Sequence, residues 1–300
     1  MLRKPTFGNK IAYLTLLLVE KTLSLFPVAA VWHMGALLGQ IFHILSTKRR
    51  NIVLSNLSIA KPDLNELERE NLAKKVFRYS FGNLLSSSKT GTMPVTKLKE
   101  HVTLGNLEAI KSLPKDKGCI FMIFHMGNWE ILTRVHDLIG LEKPTGSIFQ
   151  TLKNPLVDKH IRESREKEGT KLFAKKRGLI EATKFLKNGG ALGILCDQYA
   201  GRKGISLSLF NKKTFVTPLP ATMAQKYDCP IIPVIITTEQ AGHWKLSFGE
   251  AIKIPKELDK NEATLALAPI MESIMRENIQ DIFWLHDRWK NKHASLHNKA

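Results

Sequence analysis

Apolar and polar residues occur along this chain in blocks that predict strands and helices in alternation. Short, largely apolar runs, typical of buried strands, occur at 118–124, 145–150, 171–174, 191–196, 231–237 and 245–249. Between and after them, apolar residues at helical spacing predict helices at 129–139, 155–168, 178–188, 219–227 and 263–279. This alternation predicts an α/β fold, a mixed, mostly parallel sheet flanked by helices, whose working edge lies at the carboxyl ends of the strands.

The first part of the chain has a different pattern. Residues 22–47 contain no Lys, Arg, Asp or Glu, and residues 11–19 are apolar apart from Thr15. A charge-free stretch of this length could cross a bilayer, which needs about 20 apolar residues. However, Pro27 lies within it, and a polar stripe at helical spacing favours a helix that lies in the membrane interface or docks on the globular domain. The stripe consists of His33, Gln40, His43 and Thr47.

We therefore predict a membrane-associated helical region at 1–47 and one larger domain at 48–300. After Asn51, the sequence predicts an amphipathic helix over 65–85. The residues expected on one face of it are Leu67, Leu72, Val76, Phe77 and Leu84.

The net charge of the chain indicates which classes of partner it can attract. The chain has 45 Lys and Arg against 27 Asp and Glu, a formal net charge of +18 at pH 7. Such a surface attracts nucleic acid, anionic lipid or an acidic protein. No nucleic-acid-binding motif is found in the sequence, so the phosphates of a membrane surface are the favoured partner. The three cysteines are spaced singly, which argues against a disulfide framework or a metal site.

The segment His125-Met126-Gly127-Asn128-Trp129-Glu130 follows the apolar run 118–124 directly. It predicts a strand that ends at His125, a Gly-Asn turn, and a helix with Asn128 as N-cap and Glu130 in its first turn. Glu130 could then fold back onto one imidazole nitrogen, which would make His125 a general base. The alternative is a histidine that merely closes a strand. Trp129 is interpreted as a packing residue at the start of the helix.

Asp197-Gln198 ends another charge-free run, 191–196. In a parallel sheet this places both side chains at the same edge as His125, where polar groups gather at active clefts. The alternative is that Asp197 only caps the following loop.

In this order, the segments resemble the late acyltransferases of lipid A biosynthesis (lauroyl and myristoyl transferases), within the wider group of glycerolipid acyltransferases that carry a His-x4-Asp/Glu motif. The resemblance covers nearly the whole chain. Besides the His125 motif it is carried by Lys48-Arg49-Arg50-Asn51 with Ser55-Asn56-Leu57, Asn154-Pro155-Leu156-Val157-Asp158 followed by Arg165, Asp197-Gln198, and Phe283-Trp284-Leu285-His286-Asp287-Arg288-Trp289-Lys290. The chain departs from the family pattern at Asp287, where a basic residue is common, and at Cys196, where proline is frequent.

The resemblance implies an acyltransferase domain at 48–300. It would move a fatty acyl chain from a thioester, on acyl carrier protein, to a hydroxyl of an anionic glycolipid, a Kdo-bearing lipid A precursor. The reaction would take place at the cytoplasmic face of the inner membrane and needs no metal or bound organic cofactor.

The resemblance also implies roles for particular side chains. His125 would take the proton of the acceptor hydroxyl, and Glu130 would hold the imidazole tautomer. Arg165 would clamp a phosphate of donor or acceptor, since guanidinium binds phosphate through two parallel hydrogen bonds. Asp197 with Gln198 would support the site, and Thr217 would border the pocket. The donors for the tetrahedral oxyanion are expected among backbone N–H groups near Gly127 or at Arg165.

Two alternatives remain open at this point. The same catalytic pair could acylate another lipid, such as a phosphatidylinositol mannoside or a lysophospholipid. A non-catalytic basic membrane-binding protein would explain the charge and the apolar segment but would leave His125 and Glu130 unexplained. The sequence contains no G-x-S-x-G motif, so direct attack by an acceptor hydroxyl is favoured over a serine nucleophile.

Overall fold

The computed structural model describes residues 4–290 except 115, 168 and 176. Its strands are β1 (Val102–Leu104), β2 (Cys119–Ile123), β3 (Thr145–Phe149), β4 (Lys171–Ala174), β5 (Ala191–Leu195), β6 (Ile205–Leu209), β7 (Lys212–Val216), β8 (Ile231–Gln240) and β9 (His243–Phe248). Its α-helices are α1 (Phe7–Ser24), α2 (Val28–Leu45), α3 (Thr47–Ala60), α4 (Glu66–Thr90), α5 (Val95–Lys99), α6 (Glu108–Lys111), α7 (Val135–Ile139), α8 (Pro155–Lys167), α9 (Leu179–Lys187), α10 (Leu219–Tyr227), α11 (Lys260–Leu265) and α12 (Ala268–Glu277). Short 3-10 helices cover Trp129–Arg134 and Gly201–Lys203.

One mixed sheet forms the centre of the protein. Its strand order is β1-β9-β8-β2-β5-β3-β4, and β6 and β7 form a separate antiparallel pair. Strands β8, β2, β5, β3 and β4 run parallel, β9 runs antiparallel to β8, and β1 is parallel to β9. The predicted α/β fold with a mostly parallel sheet flanked by helices is confirmed.

The strand pairing determines what meets at the carboxyl edge of the sheet. Strand β2 lies between β8 and β5, all five of its residues are buried, and Ile123 faces Leu195 across the β2–β5 pair. The ladder continues with the N–H of Cys196, which donates to the carbonyl of Ile123 over 3.1 Å. Two residues beyond this register, His125 and Asp197 leave the sheet side by side.

Two of the predicted helices differ from the observed elements. The segment predicted as one helix over 129–139 is a 3-10 helix followed by the short α7. The segment predicted as 263–279 is divided into α11 and α12, with a proline in the first turn of α12. Proline lacks the N–H that a continuous helix would need at this position, so a break is expected there.

Helix α2 docks on the globular part of the molecule along α4. At Gly35 and Gly39 a Cβ atom would lie only 2.4 Å from the carbonyl oxygens of Phe81 and Phe77, so these glycines permit the close approach of the two helices. Among the described residues, α2 is the one helix that, with its 18 residues, is long and apolar enough to cross a membrane.

The outward sides of α1 and α2 are apolar. Of the predicted polar stripe, His33 and Gln40 are exposed, but His43 is buried and pairs with Glu70 at 3.1 Å. The exposed apolar residues, which we call the outer apolar face, are Phe7, Ile11, Leu14, Leu18 and Leu25 near α1 and Met34, Leu37, Leu38, Ile41, Ile44 and Leu45 on α2. The face predicted for α4 is only partly correct, because Val76 and Phe77 are buried whereas Leu67 and Leu84 are exposed.

A buried polar network joins these helices to the sheet. The side-chain oxygen of Asn83 accepts hydrogen bonds from the indole N–H groups of Trp32 (3.1 Å) and Trp244 (2.8 Å), and the Asn83 amide donates to Thr238 Oγ1 (3.0 Å). The hydroxyl of Thr238 donates to Asp281 Oδ1 over 2.6 Å, and its backbone N–H donates to the same oxygen over 3.1 Å. Asp281 is only 3% exposed, and this burial raises its pKa from 3.8 to about 6.

Relative to the wild-type protein, the Asp281→Asn variant should become more stable as pH rises from 4 to 6. A carboxyl whose folded-state pKa lies above its unfolded value opposes folding once the unfolded chain ionises, and the effect is complete above the folded pKa. The difference between 3.8 and about 6 corresponds to about 3 kcal/mol. Urea unfolding of both proteins at pH 4 and pH 7 measures this difference. A gap that stays constant with pH would contradict the expectation.

Candidate active site

The segment that carries His125 is a tight loop fixed by a distant part of the chain. Gly127 has φ +51°, and a Cβ there would lie 2.3 Å from the carbonyl oxygen of Ile236, so only glycine fits. The backbone N–H of Phe283 donates to the carbonyl of His125 over 2.8 Å, and the N–H of Gly127 donates to the carbonyl of Asp281 over 3.1 Å. Residues 281–289, which we call the closing segment, therefore hold the His125 loop against the sheet.

His125 is oriented by Asp197. Its Nδ1 lies 2.8 Å from Asp197 Oδ1, and the two side chains are 19% and 4% exposed. Burial lowers the pKa of His125, but the charge and hydrogen bond of Asp197, together with the charge of Glu130, outweigh it and raise the pKa above 6.5. Burial likewise opposes ionisation of Asp197, yet the interaction with His125 keeps the pKa of Asp197 below 3.8. The prediction that His125 and Asp197 meet at one sheet edge is confirmed.

Glu130 has a different partner from the one predicted. Its carboxylate accepts hydrogen bonds from Nε of Arg165 at 3.0 Å and from Nη2 at 2.7 and 2.8 Å, and each side chain is 25% exposed. The prediction that the imidazole of His125 bonds the carboxylate of Glu130 is wrong. Glu130 lies on a 3-10 helix, and its carboxylate is paired with Arg165 of α8. Glu130 affects His125 through its charge alone.

Two further local expectations are also corrected. Asn128 is not a side-chain N-cap, since its amide donates to Thr90 Oγ1 over 3.0 Å and the residue is buried. The N–H of Gly127 is taken by the carbonyl of Asp281 and so is not available as an oxyanion donor. Other N–H groups near Gly127 stay predicted donors, and Arg165 is a further candidate. Its Nη1 is not used in the pairing with Glu130.

Arg288 and His286 lie beside Asp197 around a small crevice. The Arg288 guanidinium donates through Nη1 to Thr214 Oγ1 (3.0 Å) and to the carbonyl of Phe215 (3.3 Å). Burial lowers the pKa of Arg288 to about 10, so it remains charged at neutral pH and stabilises the Asp197 carboxylate. Sequence reasoning gave neither residue a role in the site. The signal that could have found them was their place in the segment 283–290 that carries the resemblance.

In the other segments that carry the resemblance, side chains form hydrogen bonds with backbone groups of distant or neighbouring loops. Arg49 donates to the carbonyl of Leu285 (2.9 Å), and the amide of Asn56 donates to the carbonyls of Trp284 and His286 (2.8 Å each). These bonds tie α3 to the closing segment. Asp158 accepts a hydrogen bond from the N–H of Leu152 (2.7 Å), which shapes the loop before α8.

A cavity of about 350 Å³, which we call the main cavity, opens beside His125. It lies among β2, β3, β5, α8 and the 3-10 helix that carries Glu130. Its lining is mostly apolar and includes Phe121, Ile123, Leu132, Val135, Ile148, Phe149, Leu172 and Leu195, with His125, Glu130 and Arg165 also in its wall. A mostly apolar cavity with a few polar and charged groups in its wall suits an amphiphile.

Three of the predicted binding residues lie outside the lining of the main cavity, namely Asp197, Gln198 and Thr217. Gln198 borders a small crevice with Asp197, His286 and Arg288. The hydroxyl of Thr217 accepts a hydrogen bond from the N–H of Leu219 (3.3 Å) at the start of α10. Among the described residues, no group of three or more His, Cys, Asp or Glu side chains is placed to hold a metal ion.

Comparison with known proteins identifies the family of this chain. Residues 4–291 match the sequence profile of the bacterial lipid A biosynthesis acyltransferase family. The chain is 22% identical over 276 residues to the lipid A biosynthesis lauroyltransferase of Escherichia coli K12, covering 89% of this chain and 87% of that protein. It is 22% identical over 158 residues to lipid A biosynthesis acyltransferase 2 of Shigella flexneri, covering 52% of this chain and 50% of that protein. With a family profile matched over nearly its whole length, the chain belongs to the bacterial lipid A biosynthesis acyltransferases and is an acyltransferase.

Proposed function

We propose that this acyltransferase moves a fatty acyl chain from the thioester of acyl carrier protein to a hydroxyl of an anionic lipid A precursor. The observation that carries the proposal is that His125, whose imidazole is held by Asp197, lines a mostly apolar cavity. A fatty acyl chain in this cavity would have its thioester beside the imidazole. The net charge of +18 suits both an acidic carrier protein and a phosphorylated acceptor.

In the proposed reaction His125 acts as general base. With Nδ1 held by Asp197, Nε2 takes the proton of the acceptor hydroxyl while that oxygen attacks the thioester carbon. The C–S bond then breaks, and the departing thiolate receives the proton from the imidazolium. Asp197 fixes the tautomer and stabilises the imidazolium during the step.

Glu130 and Arg165 act together in this proposal. Glu130 fixes the guanidinium plane of Arg165 through Nε and Nη2, which leaves Nη1 for an oxygen of the reacting groups. A fixed cation at this point stabilises the tetrahedral oxyanion or an acceptor phosphate. Gln198 and Thr217 stay binding candidates, one in the crevice beside Asp197 and one just before α10.

The direct test supplies purified protein with labelled acyl chains on acyl carrier protein or on coenzyme A. Acceptors would be a Kdo-bearing lipid A precursor, a lysophospholipid and a phosphatidylinositol mannoside. Acylation of the lipid A precursor from acyl carrier protein, absent in His125→Ala, is the expected result. Transfer only to one of the other two lipids would overturn the proposed acceptor. Transfer only from coenzyme A would overturn the proposed donor.

We further propose that the protein works on the cytoplasmic face of the inner membrane, with the outer apolar face against lipid. The exposed side chains of Leu14 (63%) and Leu18 (66%) give this face its membrane contact on α1. Because α2 is packed on α4, deleting residues 1–47 would expose core, and point substitutions are the cleaner probe.

Substituting Leu14→Ser together with Leu18→Ser should remove most of the salt-resistant binding to vesicles. Burial of hydrocarbon is not screened by salt, whereas attraction of basic residues to anionic lipid is screened over about 10 Å at 0.1 M salt. Flotation with anionic and neutral vesicles at low and high salt measures both components. Substituting Leu67→Ser and Ile180→Ser, residues 70% and 71% exposed elsewhere, is the matched control and should change neither. Equal losses in the two pairs would show that the anchor lies elsewhere.

A further inference from the structure

A second cavity of about 290 Å³ lies next to the main one, beneath α1. Its walls come from α1, α4 and α8 and from the loop that follows α4. The lining residues are Leu16, Glu20, Leu84, Ser87, Ser88, Gly91, Thr92, Glu130, Thr133, His160, Ile161, Ser164 and Arg165. The catalytic scheme proposed above assigns no role to this cavity.

The two cavities share a wall that contains the Glu130–Arg165 pair. Both of these residues line the main cavity and the second cavity, as do Thr133 and Ile161. Arg165 therefore lies between the apolar cavity that His125 lines and a second space. A group in the second cavity that reached Arg165 would be next to the proposed reaction centre.

Helix α1 separates the second cavity from the outer apolar face. The inward side of α1 presents Leu16 and Glu20 to the cavity, while its outward side presents the exposed Leu14 and Leu18. The helix is held in place by an ion pair between His160 Nε2 and Glu20 Oε2 at 2.8 Å. It is also held by a bond of 2.9 Å from the Asn154 amide to the carbonyl of Asn9 and by one of the same length from Lys89 Nζ to the carbonyl of Ser24.

The second cavity is chemically different from the main one. The hydroxyls of Ser87, Ser88 and Thr92 donate to helix carbonyls of Leu84 (2.7 Å), Leu85 (2.7 Å) and Lys89 (3.2 Å). Their oxygens keep lone pairs that can accept hydrogen bonds from sugar hydroxyls. Leu16, Leu84 and Ile161 supply apolar contact, and Arg165 supplies a cation at the shared wall.

We propose that the second cavity binds the acceptor, an amphiphilic lipid with a hydroxylated head, which arrives from the bilayer past α1. Its hydrocarbon would contact Leu16, Leu84 and Ile161, and its polar part would lie against the serine hydroxyls and point to Arg165. The donor acyl chain then occupies the main cavity, and the two substrates meet at the Glu130–Arg165 wall. This assignment rests on the proposed acyl transfer and adds where the acceptor binds.

The test compares two serine-to-phenylalanine substitutions that are matched in local structure. Ser87 and Ser58 are both half-buried helix residues whose hydroxyls donate to the carbonyl three residues earlier, at 2.7 and 2.9 Å. Ser87 lines the second cavity, and Ser58 lies on α3, outside the lining of both cavities. In Ser87→Phe, kcat/KM for the acceptor lipid should fall at least tenfold while KM for the acyl thioester stays within twofold. Ser58→Phe should change neither constant.

A third variant gives the opposite pattern. Ser147→Phe places a ring in the main cavity and should raise KM for the thioester more than KM for the acceptor. If Ser87→Phe fails to fold, Leu84→Trp is the substitute, because Leu84 is 48% exposed and lines the same cavity. Equal effects of Ser87→Phe on both substrates, or no effect, would overturn the proposal.

Photolabelling separates this proposal from the proposed function. A lipid A precursor that carries a diazirine in its acyl chain is bound to the full-length protein in detergent without donor, and the labelled peptides are sequenced. Labels in α1, α4 or α8 near Leu16, Leu84 or Ile161 are expected, and they should be lost in Ser87→Phe. Labels confined to β3 and β5 would refute the acceptor site even if transfer occurs. Labels in the second cavity without any transfer would refute the proposed function alone.

Discussion

His125→Ala should lower kcat/KM by on the order of 10²- to 10⁴-fold, the usual contribution of a positioned general base. Asp197→Asn should cause a loss of similar size, because Asn cannot stabilise the imidazolium and disfavours the required tautomer. The double variant should be no worse than His125→Ala by more than a few-fold, since Asp197 acts only through the imidazole. Transfer kinetics of the three variants with one donor and one acceptor measure this cycle.

The pH dependence of the same variants gives an independent measurement. The general base must be neutral, so kcat/KM should rise with pH through the pKa of His125, which Asp197 and Glu130 raise above 6.5. Removing the charge of Asp197 lowers that pKa, so Asp197→Asn should move the acid limb to lower pH while lowering the plateau. His101→Ala is the control, because His101 is a partly buried histidine that bonds the carbonyl of Gly242 (2.9 Å), outside the lining of both cavities. An unchanged acid limb in Asp197→Asn would remove Asp197 from the mechanism.

Glu130→Gln should lower kcat by at least about 10²-fold, comparable to removal of one oxyanion donor. The amide leaves the charge of Arg165 uncompensated and offers only one acceptor oxygen where the carboxylate offers two. The double variant Glu130→Gln with Arg165→Gln should regain stability, because no unpaired charge is left, but should stay as slow as the single variant. Thermal unfolding and turnover of the same preparations separate the two effects.

An exposed ion pair on the same helix is the control for Glu130→Gln. Lys159 and Glu163 lie 3.7 Å apart on α8 with side chains 72% and 65% exposed. Surface pairs of this kind contribute roughly 0–1 kcal/mol, so Glu163→Gln should leave both activity and stability nearly unchanged. If the double variant at 130 and 165 recovered normal turnover, the pair would be structural and Arg165 would have no part in the chemistry.

The sequence could predict which residues reach the working edge of the sheet. Uncharged runs before His125 and Asp197 identify buried parallel strands, and such strands end on the same side. The sequence could not show that β2 and β5 are neighbours in this register, because pairing between segments 72 residues apart leaves no local periodic signal. From the sequence alone, the contact with the His125 imidazole is therefore assigned to Glu130, the carboxylate nearer in sequence. In the structure this contact is made by Asp197.

The conformation of the His125 loop was unpredictable for a related reason. Glycine and asparagine are compatible with both an α-helical N-cap and the observed entry into a 3-10 helix. Contacts from Asp281 and Phe283, more than 150 residues away in sequence, decide between them. The separation of the main cavity from its neighbour beneath α1 depends on the pairing of Glu130 with Arg165, which the sequence does not show.

The closing segment has a consequence for the order of events during synthesis. Helices α1 and α2 leave the ribosome first, whereas the bonds of Asp281 and Phe283 to the His125 loop can form only after about 280 residues have been added. If the outer apolar face contacts lipid as proposed above, a nascent chain reaches the membrane before its active site is assembled. Enzyme made this way would acquire its activity at the membrane, and acyl donors would not meet an active but unanchored protein.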